Sequence, residues 1–358
     1  MSTNQIDFFN SIKSSLEEEK PFVVFSRPNS EEVFSYIQNS QELFELNSYD
    51  ESGFLFVGFD SASSKKIIFP YKKCKRDFII YNSRNYNSIS KKSISLKTVF
   101  NSKNEEEYET LVSKTVAHIN DTSIDKIVVS RKEVLQVEST DIISIFEKML
   151  NSYKNAFVYC WYHPNIGLWM GASPERFLKI ENNQFKTMAL AGTQEFKGAL
   201  DVNWGEKEKE EQQFVTDFIL NSIHTIFDEI EVSEPYTIQA GNLLHLRTDI
   251  SSPKVSSNSI QKLVKELHPT PAVCGLPKDK AKEFILKNED YNRSYYTGFL
   301  GELNVNENTN FYVNLRCMEI ENNMVSVYVG GGITSQSDPK NEWDETVSKT
   351  NVMKKVIK

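Results

Sequence analysis

The residues best equipped for chemistry lie in the stretch from Tyr328 to Lys349. The apolar run Met324 to Val329 reads as a buried strand. Gly330, Gly331 and Gly332 follow it, where the backbone comes close to a neighbour and offers N–H groups to an anion such as a carboxylate. Asp338 then caps a helix that carries Pro339 at its first position. On that helix Glu342, Glu345 and Lys349 recur at i, i+3 and i+7, so two carboxylates and an ammonium share one face. The pattern fits a solvated helix with a Glu345 to Lys349 ion pair as well as it fits a polar site. The glycine run directly before it favours the site.

Further candidates are spread upstream. Lys126 opens a strand in which Lys126, Val128 and Ser130 share a face; a lysine at a strand entrance commonly snorkels to solvent, so a chemical role needs support from elsewhere. Glu175 follows Pro174 in a turn that feeds a strand, where a lone carboxylate is more often solvated. Gly192 and Thr193 combine close backbone approach with a hydroxyl. Glu211 projects from the inward stripe of a helix expected over Gly205 to Ile230, the longest helical signal, with Phe214, Val215, Phe218 and Ile219 on that stripe. A carboxylate there needs a cation, which Glu345 can share. Two carboxylates with substrate and water oxygens describe a magnesium (Mg2+) site. Glu208 is the competing ligand on the same helix. His245 sits in a strand-like segment, either as a structural histidine or as a ligand. Phe311 to Glu319 alternates as one strand with Tyr312, Asn314 and Arg316 on one face, and the Arg316 fork suits a carboxylate.

The elements that must position these residues mix strands, helices and hairpins without a dinucleotide-type glycine fingerprint, which points to an α+β fold. Residues 1–103 read as a scaffold part of the same fold, with strands at Phe22 to Phe25 and Gly53 to Phe59, a helix over Ser30 to Leu46, and a loop or loop-edged strand at Ser83 to Lys97. Residues 104–358 carry the chemistry. A net charge of -8 without a basic run argues against nucleic acid or an anionic membrane as a partner. Cys74, Cys160, Cys274 and Cys317 lack metal-ligand spacing and fit a reducing compartment. No apolar run reaches the roughly 20 residues of a spanning helix, and a cytoplasmic protein is expected.

Taken in order, Lys126-Ile-Val-Val-Ser-Arg131, Ala172-Ser-Pro-Glu175, Leu190-Ala-Gly-Thr193, Leu267-His-Pro-Thr-Pro-Ala272, Asn292-Arg293 through Gly298, Leu315-Arg-Cys317, Gly330-Gly-Gly-Ile333 and Glu342-Trp-Asp-Glu345 resemble the chorismate-utilising enzymes, and within them the isochorismate synthases. The resemblance implies one large α+β domain, two antiparallel sheets packed between helices, a cleft site and one Mg2+. It makes Lys126 the general base for water and Glu175 the general acid. It makes Glu211 and Glu345 the metal ligands, and Gly192, Thr193, His245, Arg316, Gly330, Gly331 and Lys349 the substrate contacts. One departure concerns Gln212, where the family often has histidine after the metal-binding glutamate.

The implied reaction adds water at C2 of chorismate while the C4 hydroxyl leaves across the diene, which asks for a base on one side and an acid on the other. The aminating relatives, anthranilate and aminodeoxychorismate synthases, generally lack lysine at the Lys126 position, so a monomer without a glutaminase subunit is expected. A salicylate synthase shares Lys126 and is separated only by the looser local match. A non-catalytic chorismate-binding module is opposed by the presence of Lys126, Glu175, Glu211 and Glu345 together.

Overall fold

The computed structural model describes residues 4–60, 62–83, 96–98, 103–137, 140–240, 243–253, 255 and 259–358. Its frame is a ten-stranded and a nine-stranded sheet, with every pairing antiparallel. The first sheet runs from Gly275–Leu276 through Lys126–Val137, Met324–Ile333, Cys317–Glu321, Gly167–Ser173 and Phe157–His163 to Phe22–Ser26, Glu32–Gln38 and Cys74–Ile80, with Leu96–Thr98 as the tenth strand beside Lys126–Val137. The second runs from Glu231–Val232 through Leu243–Ser252, Gln184–Glu195, Arg176–Glu181, Asn308–Val313 and Phe299–Val305 to Gly53–Val57 and Ile67–Pro70, with Tyr236–Ala240 as the ninth beside Leu243–Ser252. The N-terminal part thus supplies strands to both sheets.

The alternation of side chains along the strands explains how the layers stack. Phe157, Tyr159 and Trp161 turn into an aromatic layer shared with Phe54 and Phe56 of the second sheet. The intervening Val158 and Cys160 meet the helices Gln5–Glu17 and Ile142–Ser152 and the end of Pro339–Ile357. Leu55 and Val57 likewise face the helices Glu206–Ile223 and Ser259–Leu267. Aromatic rings therefore fill the space between the sheets, and smaller apolar side chains seat the helices outside them. Among the described residues no helix is long and apolar enough to cross a membrane.

Four local expectations are corrected. Residues Glu32–Gln38 form a strand, where a helix over Ser30 to Leu46 was expected. The four-residue spacing of Val33 and Ile37 is a multiple of both the strand and, nearly, the helix period, and pairing on both edges decides for the strand. The helix expected over Gly205 to Ile230 covers Glu206–Ile223; Phe227 is buried from the turn beyond it, and Phe214 is 46% exposed. The longest helix among the described residues is Pro339–Ile357. The glycines 330–332 lie inside the strand Met324–Ile333 and not after it. Finally, Phe311 to Glu319 is two strands in two sheets, Asn308–Val313 and Cys317–Glu321. The even polarity pattern runs across the break because buried Asn314 ties the sheets together: it accepts from Tyr159 Oη at 2.6 Å and donates to Tyr295 O at 2.9 Å. The segment Ser83 to Lys97 falls mostly outside the described residues, though Leu96–Thr98 pairs with Leu135 to Val137.

Phe56 touches the rings of Trp161 and Tyr295 at centroid distances of 5.0 and 4.3 Å. Phe56→Ala should therefore cost about 3–5 kcal/mol in urea unfolding, whereas Ile6→Ala, at an exposed position, should stay within about 0.5 kcal/mol.

Candidate active site

Two neighbouring segments carry the chain from one sheet to the other. Gly167–Ser173 of the first sheet continues through Pro174 and Glu175 into Arg176–Glu181 of the second. Asn308–Val313 of the second returns through Asn314 to Arg316 into Cys317–Glu321 of the first. The segments bond to each other: Val313 N donates to Glu175 O at 3.0 Å, and Ala172 N to Arg316 O at 3.1 Å. Arg316 adopts a left-handed φ of 48° to make its turn.

A cavity of about 280 Å³ opens at this seam. Every expected site residue except Gly331 lines it: Lys126, Glu175, Gly192, Thr193, Glu211, His245, Arg316, Gly330, Glu345 and Lys349. The exception follows from the two-residue period of the strand. Gly330 and Gly332 face the cavity, whereas a Cβ on Gly331 would lie 3.0 Å from Glu342 Oε2 and 3.4 Å from Tyr108 Oη. Gly332 has a steric function, since the Lys126 side chain lies over it and a Cβ there would sit 3.0 Å from Nζ.

Glu175 is 7% exposed. Burial pushes its carboxyl up to about 7, against the smaller opposing pull of the Lys126 charge. The turn is fixed by Glu175 N donating to Ser173 Oγ at 3.3 Å and by Ser173 Oγ donating to Val313 O. Burial also lowers the Arg316 guanidinium below its ordinary value, and no carboxylate among the described residues pairs with it. A desolvated, unpaired guanidinium beside a cavity is equipped to take a carboxylate.

Gly192 holds a left-handed φ of 67°, and the pairing register shifts between Ala191 and Gln194. The bulge turns Gly192 O to His245 Nδ1 at 2.9 Å, with Thr193 Oγ1 at 3.4 Å from the same nitrogen. Burial pulls His245 down to about 4, so its ring is neutral near pH 7. Because a carbonyl only accepts, Nδ1 carries the proton and Nε2 is left as a buried acceptor without a partner among the described residues. His245 thus offers a lone pair to a hydroxyl or water, not a positive charge to a carboxylate.

Glu208, Glu211, Glu342 and Glu345 all line the cavity. Glu208 folds back over the start of its own helix, where a Cβ on Gly205 would lie 2.5 Å from Oε2, the reach of a capping glutamate. Glu211 lies one turn on. Glu345 Oε1 meets Lys349 Nζ at 2.6 Å, and Lys349 also donates to Gly330 O at 3.0 Å. This all-oxygen set fits a hard divalent cation. Among the described residues no protein-only cage of three or more ligands closes, so a cation here would complete its shell from water and ligand oxygens. Gln212 is 2% exposed and donates to Ala189 O and Thr248 Oγ1 at 3.1 and 3.0 Å, which pins the helix to the second sheet.

Tyr296, Thr297, Ala272 and Val273 also line the wall. Sequence reasoning assigned them no role; apolar and hydroxyl side chains in loops carry no periodic signal. Glu342 was legible only as a member of the Glu345 face.

Comparison with known proteins bears on the family and the fold. The family described as chorismate binding enzyme matches residues 32–358. The isochorismate synthase EntC of Escherichia coli is 28% identical over 287 residues, covering 77% of this chain and 71% of its own. The isochorismate synthase MenF of Haemophilus influenzae is 25% identical over 363 residues, covering 92% and 82%. In structure, DhbC of Bacillus anthracis superposes with a TM-score of 0.79 at 21% identity, covering 96% of this chain and 98% of that one. Anthranilate synthase component I of Streptococcus pneumoniae superposes with a TM-score of 0.68 at 19% identity, covering 93% and 89%. These superpositions establish the shared fold, and the family match extends over nearly the whole chain: the protein belongs to the chorismate binding enzyme family.

Proposed function

We propose that this protein is an isochorismate synthase that converts chorismate to isochorismate in the cytoplasm, acting without a glutaminase subunit. The observation that carries the reading is the buried Glu175, held protonated up to about 7, in one cavity with Lys126 and the unpaired Arg316. Isochorismate synthases from several bacteria are among the relatives, including menaquinone-specific and vibriobactin-specific proteins, and we assign the product to menaquinone or catechol siderophore assembly.

Arg316 takes a substrate carboxylate, with Thr193, Lys349 and the backbone at Gly192 and Gly330 completing the anion contacts. Lys126 removes a proton from water, whose oxygen bonds to C2. The ring double bonds shift as the C4–O bond breaks, and Glu175 delivers its proton to the departing hydroxyl, which leaves as water. One water enters and one leaves, so no redox partner is needed. Proton exchange with solvent returns Lys126 and Glu175 to their starting forms. His245 Nε2 accepts from a substrate hydroxyl or the attacking water. Glu211 and Glu345 would hold Mg2+, which when bound offsets the charge of the carboxylates around it and orients the substrate.

The aminating reading is disfavoured by Lys126, which equips the cavity for water. Salicylate synthase is the nearer rival, because pyruvate elimination requires no acid or base beyond those named. Early time points decide: pure protein with chorismate and magnesium should give isochorismate reversibly, whereas salicylate and pyruvate from the first turnovers would reassign it, as would anthranilate formed with ammonium salts.

Lys126→Ala and Glu175→Gln should each lower kcat by roughly 10² to 10⁴-fold with little change in KM; wild-type turnover in either would remove that residue from the mechanism. Glu175 acts as an acid only while protonated, and its folded value is raised. The acid form is therefore present below this value and lost as pH rises through it, so the kcat/KM profile should carry a downward-bending limb at about 7. That limb should be missing in Glu175→Gln. Chelator should abolish turnover and magnesium restore it, and full activity in metal-free buffer would end the metal assignment.

A further inference from the structure

The strand that carries Lys126 lacks a strand neighbour along the middle of its outer edge. On its outer edge Gly275–Leu276 pairs with Ile127 and Lys126, and Leu96–Thr98 pairs with Leu135 to Val137. Among the described residues no strand pairs with the edge in between. Two of the main-chain groups left there, Val128 O and Ser130 N, are taken by side chains. Arg293 Nη2 donates to Val128 O at 2.7 Å, and Ser130 N donates to Glu289 Oε1 at 2.7 Å. Ser130 Oγ donates to the same carboxylate oxygen at 2.8 Å. Arg293 and Glu289 are themselves joined as a fork, Nε to Oε2 at 2.7 Å and Nη2 to Oε1 at 2.5 Å, with both side chains 2% exposed. The remaining nitrogen, Nη1, donates to Val273 O at 2.9 Å and to Thr297 Oγ1 at 3.3 Å.

We propose that Arg293 and Glu289 together stand in for a missing strand and are positioning residues for Lys126. Val128, Val273 and Thr297, which Arg293 holds, all line the cavity, and Val128 is two residues from Lys126 on the same strand face. Lys126 is the first residue of its strand, where a ladder otherwise frays. The pair fixes the height of that end against Gly332, over which the lysine side chain lies. Stability alone gives little reason for the arrangement, since a buried ion pair is commonly matched by apolar residues of similar volume. What apolar residues cannot do is bond a carbonyl and an amide on one strand edge while also gripping two further residues of the cavity wall.

The inference rests on Lys126 being the base, and the test separates the two. Arg293→Lys keeps the charge but loses the fork. It is to be measured for kcat and KM in the wild-type and in the Lys126→Ala background, below the melting temperature of each protein. With Lys126 present, kcat should fall by roughly 10 to 10²-fold, the scale of a small misplacement, while KM stays within about twofold. With Lys126 absent, Arg293→Lys should cost nothing further, because residues that act as a unit are non-additive. An equal loss in both backgrounds, an unchanged kcat, or a loss confined to KM would overturn the proposal. If Arg293→Lys does not fold, Ser130→Ala removes one bond to Glu289 and is read by the same comparison, with a smaller loss expected only where Lys126 is present. A wild-type protein that leaves chorismate unchanged would instead overturn the functional reading, and this inference with it.

Discussion

The constraint on which the rest depends is the exchange of one antiparallel strand pair between two sheets. Strand Gly167–Ser173 with its partner Cys317–Glu321 belongs to the first sheet, and their continuations Arg176–Glu181 and Asn308–Val313 pair in the second. The two connections must turn within three residues or fewer while keeping their main-chain groups bonded in the interior. They do so by bonding to each other and through Ser173 and Asn314. Those turns place Glu175 and Arg316 where neither sheet closes over them, and the cavity lies in that gap. Replacing Asn314 by an apolar residue would leave the Tyr159 hydroxyl and the Tyr295 carbonyl without these partners, so the tie is as much structural as it is a boundary of the site.

Around that gap the charges are sorted by depth. Glu175 has lost more by leaving water than it regains from the Lys126 charge, which keeps its proton on. Arg316 has lost water without gaining an anion, which leaves it open to one. Glu345 and Lys349 neutralise each other on the helix that closes the cavity. His245, neutral and committed through Nδ1 to the bulge at Gly192, adds an acceptor without adding charge.

Much of this was legible in the sequence because the informative residues sit at punctuation. Glycines 330–332, Asp338-Pro339 and Pro174-Glu175 are each tied to a backbone event that only certain residue types permit, and their neighbours in space followed from ordered motifs. The failures share a physical origin as well. Val33 and Ile37 satisfy two periods at once, so pairing across the sheet had to choose between them. Phe311 to Glu319 alternates across a change of sheet because Asn314 is buried by hydrogen bonding, which polarity patterns read as exposure. Gly331 was grouped with its neighbours by composition, whereas the pleat sends it to the other face. Arg293 and Glu289 gave no sign that they complete a strand edge, since a side-chain pair that replaces main-chain partners has no sequence period.

The central claim is that Glu175 keeps its proton near neutral pH because it is buried in the cavity that holds Lys126. Its carboxyl carbon, labelled selectively and followed by 13C NMR across pH in the substrate-free protein, reads this directly, with Glu175→Gln identifying the resonance. The account predicts a midpoint of about 7, moving upward in Lys126→Ala because the lysine charge that opposes protonation is gone. A midpoint in the ordinary carboxylate range, unmoved by removal of Lys126, would contradict it.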